Sequence, residues 1–140
     1  MARYNERIPN IQRAAATRPL RFSFRHLDFS TSKFHPSRCR NEYFVSLLTV
    51  LQRYSSWVVE DFIDQNNSER RHVISFDKSS EPSGFEQVPG IDREQLGYHD
   101  GWQIGVCPED RENLWRAHGI LIDDTFFLIW LDQDHALFPK

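Results

Sequence analysis

The stretch LWRAHGILIDDTFFLIWLDQDH, residues 114–135, decides the fold of this chain. Two apolar runs, 119–122 and 126–131, flank the polar pair Asp123-Asp124. Short β-branched and aromatic runs around a two-residue polar break predict a β-hairpin. The second run is apolar at every position, which indicates a central strand that is covered on both faces.

Segments outside this hairpin also have a clear periodicity. Alternation of apolar and polar residues predicts strands at 20–26 and 102–107, and a short apolar run predicts another at 72–76. Apolar residues at three- and four-residue steps predict a helix over 41–57, and a shorter helix is predicted over 58–65. The positions expected on the buried face of the first helix are Phe44, Leu47, Leu48, Leu51, Tyr54 and Val58.

These elements predict an α+β domain with the order β-α-α-β-β-β-β. We expect an antiparallel sheet of four to five strands, covered on one face by the helical pair. The central strand needs a second cover, for which the candidates are the long loop 77–99, the N-terminal arm or another chain. Residues 1–19 are predicted to be a basic arm and residues 20–140 a single domain, which suits a chain of 140 residues.

Composition excludes several classes of protein. No apolar run reaches the roughly 18 residues of a membrane span, so no membrane partner is expected. Cys39 and Cys107 lack the CxxC spacing of a structural zinc site. Two reduced thiols in a cytoplasmic protein are therefore predicted, with no cofactor.

Charge is divided unevenly along the chain. Residues 1–40 contain nine basic and two acidic residues, a balance of +7, whereas residues 41–140 contain eight basic and eighteen acidic residues, a balance of −10. Such asymmetry suggests a basic arm that contacts RNA or an anionic partner surface. The alternative is that the arm neutralises the acidic body of its own fold or of a second copy in a homodimer.

Titratable residues gather at one end of the predicted hairpin. With Asp123-Asp124 at the turn, Arg116 and His118 share one face of the sheet, about 6–7 Å apart by strand rise. An arginine can clamp a phosphate and a histidine can move a proton near neutral pH, a pairing that suits RNA cleavage without a metal. The alternative is an arginine held in an ion pair beside a structural histidine.

The same register places Asp132 and Asp134 on the opposite face, and a slip of one residue would reverse that assignment. His135 lies beyond the strand and can turn to either face. We predict Arg116, His118 and His135 as catalytic residues and Asp132 as a substrate-binding residue. Binding of a metal by the acidic pair and the histidines is the weaker alternative, because this spacing is common at acidic strand ends; no metal is predicted.

Further substrate contacts are predicted in two segments. Phe85 lies in the Pro/Gly-containing loop 77–99, which can close over a site or dock a partner. Arg21 and Arg25, interleaved with aromatic residues, suit phosphate contacts combined with base stacking. Strand alternation alone explains the same pattern with the aromatic residues inward and the arginines outward.

The order of elements, joined to residues 115–135, resembles the RelE/YoeB-type toxins of bacterial toxin–antitoxin pairs. Their closing hairpin has an arginine, an apolar run, a short acidic turn, a second apolar run, and then a histidine or tyrosine. The resemblance implies an mRNA endoribonuclease fold. It also implies that Arg116 matches the phosphate-binding arginine and His135 the late catalytic residue.

Two functions are therefore predicted. The first is a small protein of bacterial toxin or phage-defence type that cleaves RNA phosphodiesters without a metal. The second is a non-catalytic protein-binding module, such as an antitoxin, an inhibitor or a complex subunit, which uses the sheet and the loop 77–99.

Overall fold

A computed structural model of the protein describes residues 15–64 and 70–139. Its strands form one five-stranded sheet with the order β1-β5-β4-β3-β2. The prediction of an α+β domain is confirmed, and the five strands and the first two helices follow the predicted order, which an additional short helix interrupts between β2 and β3. The strands are β1 (Arg21–Ser23), β2 (Arg71–Val73), β3 (Gly101–Gly105), β4 (Arg116–Ile122) and β5 (Thr125–Asp132).

The sheet is mixed, so the prediction of an antiparallel sheet is wrong for one strand. β1 lies at the edge beside β5 and runs parallel to it, with Arg21 opposite Thr125. The backbone N–H of Arg21 donates to the carbonyl of Asp124 at 2.9 Å, which seats β1 against the start of β5. Alternation in the sequence identifies a strand but contains no information on its neighbour or direction, which explains the error.

Three α-helices are present in the described part of the chain: α1 (Asn41–Tyr54), α2 (Val59–Ile63) and α3 (Arg93–Tyr98). The third was not predicted and lies within the long loop. Leu48 was predicted to be buried on α1 but is 60% exposed. The buried face of α1 includes the predicted Leu47, Leu51 and Tyr54, together with Tyr43 and Val50.

A main hydrophobic cluster joins the first two helices to the sheet. It includes Leu47 of α1, Phe62 of α2, Trp102 of β3, Leu121 of β4 and Phe126 of β5. The ring of Phe62 packs against both Trp102 and Phe126, with centroid distances of 5.0 and 5.3 Å. Aromatic packing of this kind contributes beyond the burial of apolar area.

A second hydrophobic cluster lies around other sheet residues and is covered by loops. Phe85 and Val88 of the long loop, Phe34 and Leu137 all pack in it, around side chains such as Ile129. The long loop was one of the three covers predicted for the central strand, and its apolar residues occupy that position. Residues 1–14 of the predicted arm lie outside the described residues.

A β-bulge interrupts the closing hairpin. From the turn to Gly119 and Leu128 the pairing is as predicted, but His118 then pairs with Trp130, so that Ile129 is the extra residue. A bulge shifts every later residue of its strand to the other face. The prediction that Asp132 faces away from His118 is therefore wrong, because the bulge brings both onto one face.

Gly119 sits at the bulge, where the chain leaves no space for a side chain. A Cβ atom at this position would lie 2.2 Å from the carbonyl oxygen of Phe127 and 2.5 Å from the ring of Phe126. The first of these neighbours is backbone and cannot move aside without breaking the pairing of β4 with β5. Glycine is therefore required here by close approach.

We predict that Gly119→Ala lowers the free energy of unfolding by about 3 kcal/mol, at the upper end of the usual cost of overpacking. Urea denaturation followed by tryptophan fluorescence measures the change. Gly105→Ala is the matched control, since its Cβ would meet the Cβ of Arg70 at the milder distance of 3.0 Å. Equal losses in the two variants would contradict the argument from the bulge.

Candidate functional site

His118, a predicted catalytic residue, is fully buried in the described structure. Its Nε2 lies 2.9 Å from Oδ2 of Asp132, and the ring of Phe34 packs at a centroid distance of 6.3 Å. Asp132 also accepts hydrogen bonds from the backbone N–H groups of Ala136 at 2.6 Å and Leu137 at 3.0 Å. The pair thus ties the segment after β5 to the sheet, and no solvent reaches the imidazole.

Both partners have shifted pKa values that agree on the protonation state. Burial lowers the pKa of His118, and the hydrogen bond and charge of Asp132 do not compensate for it. Burial by itself would raise the pKa of Asp132, but hydrogen bonds from His118, Ala136 and Leu137 outweigh burial and lower it. A neutral imidazole therefore donates from Nε2 to an ionised carboxylate, which can only accept.

Arg116 is buried and engaged by backbone. Its Nη1 donates to the carbonyl of Asn113 at 2.9 Å and to that of Trp115 at 3.0 Å. Burial lowers its pKa, and the nearby Arg70 adds to the effect. The guanidinium secures the turn before β4, and this arrangement leaves it poorly placed to clamp a phosphate.

His135, the third predicted catalytic residue, lies just beyond β5 in a left-handed conformation with φ of 58°. Its Nδ1 is 2.6 Å from the carbonyl oxygen of Phe138, which shapes the segment after the strand. The side chain lines an open depression together with Leu114, Asp134 and Pro139. Of the three predicted catalytic residues, only His135 therefore reaches a surface depression, while Arg116 and His118 are enclosed.

The predicted substrate-binding arginines are on the surface. Arg21 is exposed and lies 3.4 Å from Asp124, whereas Arg25 is exposed and forms no ion pair within residues 15–64 and 70–139. Every other cation between residues 15 and 40 has an acidic partner. These pairs are Arg18–Asp123, Arg21–Asp124, Lys33–Glu81, Arg38–Asp134 and Arg40–Glu42.

The described basic segment thus neutralises acids of its own fold, as one of the two alternatives for the charge asymmetry predicted. Four of those acids, Glu81, Asp123, Asp124 and Asp134, lie far along the chain in the acidic body. Each exposed pair contributes little to stability, about 0–1 kcal/mol. Together they reduce the local positive field that would attract a polyanion.

A concave pocket of about 290 Å³ lies between the long loop and the sheet. Phe85, predicted as a binding residue, forms its floor with Phe76, Leu96 and Ile120. The rings of Phe76 and Phe85 meet edge to face at 5.0 Å, and Phe85 in turn packs on Trp130 at 4.8 Å. The floor is therefore apolar and continuous with the second hydrophobic cluster.

Polar groups surround this floor. Ser83, Glu86, Arg93 and His99 line the pocket, and Nη2 of Arg93 lies 3.4 Å from Oε1 of Glu86. Burial lowers the pKa of His99 despite the opposing charges of Asp100 and Asp123. An apolar floor with a few convergent polar groups is typical of a binding site.

Of the residues that line the pocket, only Phe85 was among the predicted site residues. Phe76 was assigned to the end of a strand but belongs to a 3₁₀ turn, Phe76–Lys78. Gly84 and Gly101 admit its ring, because a Cβ atom at either glycine would lie within 2.9 Å of it. The glycines were visible in the sequence, but their pairing with one phenylalanine depends on tertiary packing.

No protein-family model, curated protein or solved structure gave a significant match to the chain. The resemblance to the RelE/YoeB-type toxins therefore stays a prediction. Among the described residues, no helix is long and apolar enough to cross a membrane. The same residues contain no group of three or more His, Cys, Asp or Glu side chains that could hold a metal ion.

We predict that Asp132→Asn lowers the free energy of unfolding by about 3 kcal/mol, since removing the charge from a buried hydrogen-bonded pair is strongly destabilising. Chemical denaturation measures the loss. Asp134→Asn serves as the control, because Asp134 forms an exposed ion pair with Arg38 at 3.2 Å. Loss of this ion pair should lower the free energy of unfolding by less than about 1 kcal/mol. Similar losses in both variants would refute the structural role of Asp132.

The pKa directions predict a pH dependence of stability. The unfolded chain takes up a proton on His118 near the ordinary pKa of 6.5, whereas the folded chain does so only at lower pH. The free energy of unfolding should therefore fall as the pH drops below 6.5, with His26 and His99 acting in the same direction. The lowered pKa of Asp132 adds a further loss below its ordinary value of 3.8.

Proton NMR of the histidine rings tests this prediction on the unaltered protein. The ring signals of His118 should stay constant through pH 6.5 and change only at lower pH, where the protein also loses stability. A His118 signal that titrates at or above pH 6.5 while the fold is intact would contradict the enclosed, neutral imidazole.

Proposed function

We propose that this protein is a non-catalytic protein-binding module, and that the pocket beneath the long loop receives one apolar side chain of a partner. The observation that supports the proposal is the pocket itself. Its floor of Phe76, Phe85, Leu96 and Ile120 is apolar, and its rim has a cation, an anion and an imidazole. This composition favours an aromatic or branched aliphatic group entering from a polypeptide.

The size of the pocket limits its occupant. A volume of about 290 Å³ lies at the small end of ligand pockets, which span roughly 300–1,000 Å³. Burial of one large apolar side chain contributes about 1.5–3 kcal/mol. The pocket therefore supplies a specific anchor, and a stable complex needs further contacts around it.

The contacts of the predicted catalytic residues support a binding role over RNA cleavage. His118 donates to Asp132 and Arg116 donates to two backbone carbonyls, so the polar groups needed for phosphate chemistry are committed to the fold. General acid–base catalysis requires a group within hydrogen-bond reach of the reacting atom. A buried imidazole and a buried guanidinium do not offer that reach.

N-acetylphenylalaninamide and N-acetylleucinamide are suitable probes of the pocket, because each presents a single apolar side chain. We predict saturable shifts in amide NMR spectra at Phe76, Leu96 and Gly101 with an affinity of about 6–80 mM, as expected for the roughly 1.5–3 kcal/mol that burial of one apolar side chain contributes. Ser83→Trp should abolish these shifts by filling the pocket from its rim. Gln87→Trp, at an exposed position of the same loop outside the pocket lining, should leave them unchanged.

Two results would overturn the proposal. The first is the absence of shifts at the pocket residues for both probes, in a protein whose spectrum shows an intact fold. The second is cleavage of RNA by the wild-type protein, with or without ribosomes, that is lost in Arg116→Ala and His135→Ala. The latter result would restore the endoribonuclease prediction.

A further inference from the structure

Two large aromatic side chains project into solvent from the loop after β1. Phe24 is 53% and Phe29 is 62% exposed, although the nine other phenylalanines of the described chain are buried or half-buried. Between them lies the exposed Arg25. We call Phe24, Arg25 and Phe29 the aromatic patch.

The loop that presents this patch is firmly held. The N–H of Leu27 donates to the carbonyl of Phe24 at 3.0 Å, and the N–H of Asp28 donates to that of Ile129 at 2.9 Å. The carboxylate of Asp28 accepts from the indole N–H of Trp130 at 2.8 Å and from the hydroxyl of Thr31 at 2.6 Å. The exposed rings are therefore presented by an ordered turn, which lowers the entropic cost of binding.

The loop that carries the aromatic patch contacts the long loop that lines the pocket. His26 belongs to the same loop as the patch. Its ring lies 3.2 Å from the point where a Cβ atom on Gly90 of the long loop would stand. Asp28 is bonded to Trp130, and Trp130 packs on Phe85 of the pocket floor. This contact between the two loops is the basis for assigning both features to one partner.

The charges around the patch favour a protein partner over a nucleic acid. Residues 15–40 contain six arginine and lysine side chains. Five of them are paired with acids of the fold, and within the described chain Arg25 is the unpaired one. Nucleic-acid affinity depends on several phosphate contacts at once. Exposed aromatic residues beside one arginine are instead typical of the energetic centre of a protein interface.

We propose that the partner bound at the pocket also docks on the aromatic patch, through an apolar surface edged by a carboxylate. This inference rests on the proposed function. Phe24 and Phe29 supply the apolar contact, and the carboxylate pairs with the guanidinium of Arg25 in a bidentate geometry. The pocket and the patch then form one interface with two anchors.

A random-peptide library displayed on phage and selected against the full-length protein is the probe. We expect the enriched peptides to combine apolar residues with an Asp or Glu. A synthetic peptide of the enriched sequence is then measured by fluorescence anisotropy against four variants: Phe24→Ser/Phe29→Ser, Arg25→Glu, Ser83→Trp and Val45→Ser/Leu48→Ser. The last variant is the matched control, because Val45 and Leu48 are 65% and 60% exposed on α1.

We expect the first two variants to weaken binding about tenfold or more, equivalent to about 1.4 kcal/mol, and the control to change it by less than about twofold. Replacing the acidic residue of the peptide by lysine should restore binding to Arg25→Glu. This rescue identifies the charge pair, and general loss of structure would not produce it.

The variants separate the two proposals. Binding that is lost in Ser83→Trp but unchanged in Phe24→Ser/Phe29→Ser and Arg25→Glu would overturn the aromatic patch and leave the pocket. The reverse pattern would overturn the pocket and support the patch alone. Failure to enrich any peptide, or tighter binding of a fluorescent oligouridine than of any selected peptide, would overturn the assignment of a protein partner.

Discussion

The hydrogen bond between His118 and Asp132 is the interaction on which the second face of the sheet depends. It exists because Ile129 is an extra residue in β5, which brings the end of that strand onto the face of His118. Asp132 then holds the chain after the strand through the N–H groups of Ala136 and Leu137. Buried Leu137 is thereby placed in the second hydrophobic cluster. Without the bulge, the same carboxylate would lie on the opposite face of the sheet and would lose its hydrogen bond with His118.

A second buried carboxylate, that of Asp28, fixes another loop to β5 in the same way. Asp28 accepts from Trp130 and from residues 30 and 31, and these hydrogen bonds lower its pKa although burial alone would raise it. The ionised side chains of Asp28 and Asp132 thus hold two loops against β5, on a face of the sheet that a helix covers in many domains. Loops pack less regularly than a helix, and the space left between the long loop and the sheet is the pocket. The polar residues that resemble a catalytic set, His118 and Asp132, therefore have a structural use in holding the segment after β5.

Sequence patterns predict those features of this fold that depend on interactions between residues close together in the chain. Alternation and turn chemistry are local, and they correctly predicted the hairpin, its Asp123-Asp124 turn and the order of the strands and the first two helices. The bulge at Ile129 coincides with a close approach of the Phe127 carbonyl and the Phe126 ring to Gly119, a tertiary contact that the pattern of residues could not reveal. This one extra residue places Asp132 on the same face as His118. Asp132 therefore forms a structural hydrogen bond there, whereas the sequence predicted a substrate contact. For the candidate site, only Phe85 was found in advance, because the pocket joins residues distant in sequence.

The charge distribution explains why the candidate interface depends on aromatic rather than basic residues. A balance of +7 in the first 40 residues resembles a nucleic-acid-binding arm when the sequence is considered alone. In the folded chain, five cations of residues 15–40 each face an acid, and four of those acids come from the second half of the chain. Within the described residues, four cations of the basic segment thus neutralise acids that are distant in sequence. Arg25 and the exposed rings of Phe24 and Phe29, rather than a run of unpaired cations, are therefore the basis on which a protein partner is proposed for this surface of the described chain.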